Sequence, residues 1–411
     1  MITGVADCGM KYAVRRSSSS VGYCALSIKC GTRDEEGFQS GTAHFAEHTI
    51  FKGTHKKSAS IINSYLDRLG GELNAFTTKE EIVFHATVLK EDLNKAASLL
   101  LELATSASFP EKEIEKEKSV VIDEINSYKD SPSEDIYDRF EEILFKGHPL
   151  SSPILGTASS VRKISREDLM RFVKEKFKPG RMAFSIVADY DEAYMEKAVR
   201  KLALDYFPAQ APDNHEGGKQ QIEIFAGNEP FLKKIHKRNH QANCIIGAPA
   251  PSLFEEDRIA TVLLCNILGG PASNSILNSV LREKYGWVYG VECSYTQYQD
   301  TGIAAISIGC DKDNLDRCIR EVEKQLHKLR TVPLSDKKLK SAKKQLLGQI
   351  AISSDNGETQ CLSMGKGLMD YGKVMDDATT QKLVEQIKAE DIRRIACSVF
   401  GPDKLSTLIY I

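Results

Sequence analysis

Apolar and polar positions alternate along the chain in stretches of strand and helix length. Between residues 21 and 30, Cys24, Leu26, Ile28 and Cys30 fall on one face at period two, the spacing of a half-buried strand. Gly31 to Gly37 reads as a loop, and the segment from about Ser40 to Phe51 has helical spacing. Glu72 to Leu89 predicts two strands joined by a turn near Thr77-Thr78-Lys79-Glu80. From Glu91 onward, Leu93, Ala96, Ala97, Leu100 and Leu103 line one face of a helix. Pro110 opens another helix, in which Ile114, Val121, Ile122 and Ile125 supply the apolar contacts.

A polar run rich in Pro and Gly from Phe207 to Gln221 interrupts this pattern. The organisation it predicts is an amino-terminal domain over 1–208, a linker over 209–221 and a carboxy-terminal domain over 222–411. The two halves repeat an order of elements. Glu72-Leu-Asn-Ala-Phe-Thr77, a strand ending at Leu89, a helix, a Pro and a helix closing on Glu124-Ile125 make up the first half. Val291-Glu-Cys-Ser-Tyr-Thr296, a strand ending at Ile308, a helix from Asn314, Pro333 and a helix closing on Gln349-Ile350 make up the second. The expected fold class is α+β: two duplicated domains, each a mainly antiparallel sheet with helices packed on it. The alternative is two unrelated α+β domains that share only an order of elements.

Composition narrows the function. At 411 residues the chain has room for two or three domains of ~150 residues each. Lys plus Arg number 55 against 57 Asp plus Glu, a net charge of −2 that offers no polycationic surface to nucleic acid. No apolar stretch approaches the ~18 residues of a membrane span, and no basic-then-apolar leader follows Met1. None of the ten cysteines forms a Cys-x-x-Cys pair, which reads as reduced thiols in a cytoplasmic setting.

One stretch carries chemistry: His44-Phe-Ala-Glu-His48. On a helix, residues four apart lie one above the other, so both imidazoles can share one metal. Glu47, three residues after His44, is near enough to that face to serve as a base toward water. The order H-x-x-E-H inverts the H-E-x-x-H zinc peptidase motif. A catalytic zinc takes three protein ligands and keeps a fourth position open, so a third ligand is needed. The helix Glu117-Lys-Ser-Val-Val-Ile-Asp-Glu124 offers carboxylates, with Glu117 and Glu124 two turns apart on one face. The bland reading of that helix is a solvated charged surface.

Together with Phe51-Lys-Gly-Thr54, Gly70-Gly-Glu-Leu-Asn-Ala-Phe-Thr-Thr78, His148-Pro149 and Pro153-Ile-Leu-Gly-Thr157, these stretches resemble the pitrilysin/insulinase family of zinc metallopeptidases. The resemblance is to its short, two-domain members, similar to the mitochondrial processing peptidase β-subunit and its bacterial relatives. It implies one zinc per chain held by His44, His48 and Glu124, with Glu47 as general base and Glu117 close behind the ligands. It assigns Arg282 and Tyr289, seven apart in Leu281-Arg-Glu-Lys-Tyr-Gly-Trp-Val-Tyr289, to the active site as substrate and oxyanion contacts. It also makes Asn74, Ala75 and Phe76 part of an edge strand that holds an extended peptide. The second half has Leu263-Leu-Cys-Asn-Ile-Leu268 in the region of the His pair and Gln349 in the region of Glu124, so it is expected to be a metal-less copy.

The expected activity is zinc-dependent hydrolysis of unfolded or short peptides in a closed chamber. Two domains are too few for such a chamber, which implies a homodimer, or a heterodimer with a related subunit. The competing expectation is a non-catalytic scaffolding subunit, against which intact His44, Glu47, His48 and Glu124 argue.

Overall fold

The computed structural model describes residues 1–208, 223–237 and 239–411; the linker expected at 209–221 lies outside them. The strands are β1 Ile2–Val5, β2 Lys11–Arg16, β3 Val21–Ile28, β4 Glu72–Thr77, β5 Ile82–Leu89 and β6 Met182–Ala188. In the second half follow β7 Leu232–Ile235, β8 Gln241–Ala250, β9 Val288–Gln297, β10 Gly302–Asp311 and β11 Ser406–Tyr410. The helices of the first half are α1 Thr42–Ile50, α2 Ala59–Tyr65, α3 Leu93–Ser106, α4 Glu111–Asp130, α5 Pro132–Leu144, α6 Ala158–Lys163, α7 Arg166–Lys176 and α8 Glu192–Tyr206. The remaining helices are α9 Arg258–Gly269, α10 Leu315–Thr331, α11 Asp336–Ser354, α12 Gly357–Tyr371, α13 Asp377–Gln386 and α14 Ala389–Val399.

The six-stranded first sheet has the order β1-β2-β6-β3-β5-β4, and only β2 and β6 run parallel. The five-stranded second sheet has the order β7-β11-β8-β10-β9, and only β7 and β11 run parallel. Setting β2, β6, β3, β5 and β4 against β7, β11, β8, β10 and β9 leaves order and direction unchanged. The duplication expected from element order is therefore present in the topology.

The chain forms two compact units, and neither is a continuous stretch. The first comprises Met1–Asn126, Ser152–Gly218 and Ile352–Met375; the second comprises Ser127–Ser151, Lys219–Ala351 and Asp376–Ile411. Each unit thus takes a helix from the other half of the sequence. In the first, α12 lies across β2, β3 and β6; in the second, α5 lies across β8 and β11.

Helix α12 explains why β3 is buried along most of its length and not on one face alone, as its alternation predicts. On one face Cys24, Leu26 and Ile28 join the main core with Phe84, Leu100 and Phe184. On the other, Ala25 meets Cys361, Met364 and Leu368 of α12. Small residues permit the approach, since a Cβ added at Gly365 would stand 2.5 Å from the Ser27 hydroxyl. In the second unit, Leu263, Leu264, Ile306, Val322 and Ile395 share one core. Ile136, Phe140 and Leu144 of α5 cover Ile245, Ile303 and Leu408 on the other face.

All ten cysteines are free thiols. Among the described residues no helix is long and apolar enough to cross a membrane.

Candidate metal centre

Helix α1 begins after Gly41, whose φ of +88° and close approach to the Leu155 carbonyl oxygen leave no room for a side chain. The loop Pro153-Ile-Leu-Gly156 therefore lies directly against the helix start. The Glu35 carboxylate accepts the Gly41 and Ala43 N–H groups at 2.9 and 2.8 Å. It satisfies main-chain donors that the first turn leaves open.

One turn into α1, the His44 and His48 rings stand 4.5 Å apart, centroid to centroid. Helix α4 brings Glu124 across from them. Its Oε1 lies 3.8 Å from His44 Nε2 and its Oε2 lies 3.5 Å from His48 Nε2. The three ligand atoms all fall within 4.8 Å of one another, and no other group of this kind occurs among the described residues. Ligands ~2.1 Å from a common tetrahedral ion would sit roughly 3.4 Å apart, so small side-chain shifts suffice to bring them together.

The donors are chemically suited to a metal. Glu117, two turns before Glu124, lies 3.0 Å from His48 Nδ1, and Lys52 holds its other oxygen at 2.9 Å. An Nδ1–H donated to this carboxylate leaves the Nε2 lone pair facing Glu124. Burial pulls the His48 imidazole down, but the Glu117 hydrogen bond and the nearby Glu47 and Glu124 outweigh it, so its pKa is raised. Protons then compete with a metal for this nitrogen. Burial, followed by the neighbouring His48, pulls His44 down to about 3 and keeps it neutral. Glu117 is held below the usual carboxylate range: burial pushes it up, but His48 and Lys52 outweigh that. Two imidazoles and one carboxylate are a donor set that fits zinc.

Glu47 lies on the same helix, buried, with its Oε2 accepting the Thr77 hydroxyl at 2.7 Å. Burial raises its pKa, against the pull of that hydrogen bond and of His48. Thr77 closes β4, the outermost strand of its sheet. On that strand Asn74 is exposed, Ala75 borders the main core and Phe76 borders the cluster beneath α12. His85 is a residue of β5, facing Asn74 in the register, and not a ligand of the His44–His48–Glu124 group.

Arg282 and Tyr289 belong to the second unit. Arg282 is exposed on the helical turn Asn278–Lys284. Tyr289, on β9, is 57% exposed and donates its hydroxyl to Asp311 at 2.7 Å.

Three residues of the centre have no role in the sequence reading: Lys52, Thr77 and Glu35. The signal for Lys52 is its i+4 spacing from His48, which puts it one turn along the same face. The signal for Thr77 is its even spacing from Leu73 and Ala75. Nothing in the local pattern marks Glu35, because the N–H groups it meets lie beyond a loop.

Residues 11–158 match the family described as insulinase (peptidase family M16), and residues 163–346 match the peptidase M16 inactive domain. The chain belongs to the insulinase family. Similar members include a Bacillus subtilis protein named an uncharacterized zinc protease, YmxG, which is 29% identical over 385 residues spanning 93% of this chain and 91% of its own. An uncharacterized zinc protease of Rickettsia felis is 27% identical over 387 residues, 93% of this chain and 91% of the relative. Among solved structures, a protease from Helicobacter pylori superposes with a TM-score of 0.89 at 20% identity, covering 100% of this chain and 98% of that one. A Pseudomonas fluorescens structure titled a peptidase M16 inactive domain gives 0.87 at 18% identity, covering 100% and 97%. At such identities these two structures speak for the fold alone.

In this insulinase-family chain the second unit has amides in the region that corresponds to the first unit's His44–His48–Glu124 group. Asn266 of α9 donates its side-chain N–H to the Gln349 side-chain oxygen of α11 at 2.8 Å. A neutral hydrogen bond thus joins the two helices that correspond to α1 and α4.

Proposed function

We propose that this chain is a zinc-dependent endopeptidase acting on unfolded or short peptides held as an extended strand. The observation that carries the reading is the convergence of His44, His48 and Glu124 from two helices, with the Glu47 carboxylate beside them. His44, His48 and Glu124 would hold the zinc. When bound, zinc supplies Lewis acidity toward the scissile carbonyl and lowers the pKa of water.

The rest falls to the chain's own groups. Glu47, raised above the usual carboxylate range by burial, takes the proton of the attacking water and returns it to the leaving amine. Tyr289 donates a hydrogen bond to the developing oxyanion, and Arg282 grips a substrate carbonyl. Ala75 seats the peptide by main-chain pairing along the open edge of β4, with Asn74 and Phe76 on either side of it, a mode that asks little of the peptide's sequence. We further infer a homodimer, in which Arg282 and Tyr289 of one chain serve the centre of a second copy.

The purified chain should contain about one zinc and cleave an unstructured peptide, with fragments mapped by mass spectrometry and cleavage stopped by a chelator. Glu47→Gln should keep the metal and lose nearly all turnover. Substantial activity in that variant refutes Glu47 as the base, and chelator-insensitive cleavage refutes the zinc.

A further inference from the structure

Thr77 belongs both to the open edge of the first sheet and to the centre on α1. Beyond β4 no strand follows in the first sheet among the described residues, so one side of its backbone is available for pairing. The register fixes which groups are available. The Thr78 N–H donates to the Glu81 carbonyl at 2.8 Å and closes the β4–β5 hairpin. In an antiparallel ladder, pairs that exchange hydrogen bonds alternate with pairs that do not. Phe76 with Val83 and Asn74 with His85 are then the bonded pairs. Leu73, Ala75 and Thr77 turn their N–H and C=O groups outward.

The side chains of these same three residues share one face of the sheet. That face looks toward α1, as the bond from Thr77 Oγ1 to Glu47 Oε2 shows. A peptide added to the edge would therefore bond to the main chain of the residue whose side chain holds the base. Threonine suits both tasks. Its β-branch favours extended backbone and leaves few χ1 rotamers, so its hydroxyl stays aimed.

We propose that Thr77 is a positioning residue for Glu47, coupling the seating of a peptide on β4 to the orientation of the base. This rests on the endopeptidase reading, with Glu47 taking a proton from water. Thr77 fixes Oε2 and leaves Oε1 for the proton. The consequence is specific. Without the hydroxyl, the carboxylate keeps its place on α1 but loses its set angle, and proton transfer depends steeply on that angle. Peptide pairing uses the main chain of Thr77, so affinity should be nearly indifferent to the change.

The test is steady-state cleavage of a fluorogenic peptide by wild type, Thr77→Val and Thr77→Ser, with zinc content and thermal melting measured on each. Valine keeps the shape and strand preference and removes the hydroxyl; serine keeps the hydroxyl. Thr77→Val should lower kcat roughly 10- to 100-fold with KM changed less than about twofold. Zinc content should stay that of wild type, and Thr77→Ser should recover most of kcat. A hydroxyl that merely satisfies a buried carboxylate would lower the melting temperature of Thr77→Val and leave kcat unaltered, which overturns the proposal. So would loss of zinc, a rise in KM alone, or failure of serine to restore turnover. Should Thr77→Val fold poorly, Thr77→Ala is judged by the same criteria. An inert wild type brings down the endopeptidase reading and this inference with it, whereas an active wild type with unchanged Thr77→Val kinetics brings down this inference alone.

Discussion

Glu35 is a buried carboxyl that meets two main-chain N–H groups at the start of α1. Burial pushes it up to about 8, against the Ala43 and Gly41 hydrogen bonds and the positive field of Lys79. Its ordinary value is 4.5, so the folded chain keeps this proton over a range in which the unfolded chain has lost it. The stability it contributes is complete below pH 4.5 and declines as pH rises toward about 8. Glu35→Gln carries no titrating group and should flatten that decline. Urea midpoints of wild type and variant at pH 5 and pH 8 measure it, and an equal slope in both proteins contradicts the assignment. The same residue shows a limit of reading locally. Glu35 acts on α1 from across a loop, and no spacing rule connects a loop acid to a helix it does not belong to.

Elements were legible where one local period determined them. The i, i+4 rule places His44 and His48 on one face of α1, and the turn residues Thr78 to Glu81 separate β4 from β5 as the sequence predicts. The helix that carries Glu117 and Glu124 was legible as a helix, and its meeting with α1 followed only from family resemblance. Strand β3 was half legible. Its apolar face is plain, but the burial of Ala25 and Ser27 depends on α12, more than three hundred residues away in the chain. The trace that α12 leaves is a lack of bulk at Ala13, Ala25, Ala183 and Gly365, and small residues point to close approach without naming the partner. The Asn266–Gln349 bond shows a similar split. Loss of ligand chemistry in the second half was visible in the residue types, whereas the hydrogen bond that joins the two helices was not.

At the scale of the molecule, two properties invite measurement. If Arg282 and Tyr289 serve a second copy, mixing an inactive His48→Ala chain with an inactive Arg282→Ala chain should restore activity through one intact centre per mixed dimer. Unaltered inactivity after verified subunit exchange argues for service within one chain. The other property is the exchange of helices between the sequence halves. Residues 1–208 alone would leave the Ala25, Val83 and Val187 face without Met364 and Leu368. That fragment should bind a hydrophobic dye and lack a cooperative melt, and a peptide of residues 352–375 should restore both properties toward those of the full chain. A fragment that melts as sharply as the full chain would show that α12 is dispensable. The same arrangement bears on biosynthesis. A ribosome finishes the proposed ligands by residue 124, yet the first unit is not complete until residue 375 of 411 has been translated. The nascent chain therefore carries these side chains long before it can close the scaffold around them, a delay that would leave the proposed centre unfinished until α12 has been made.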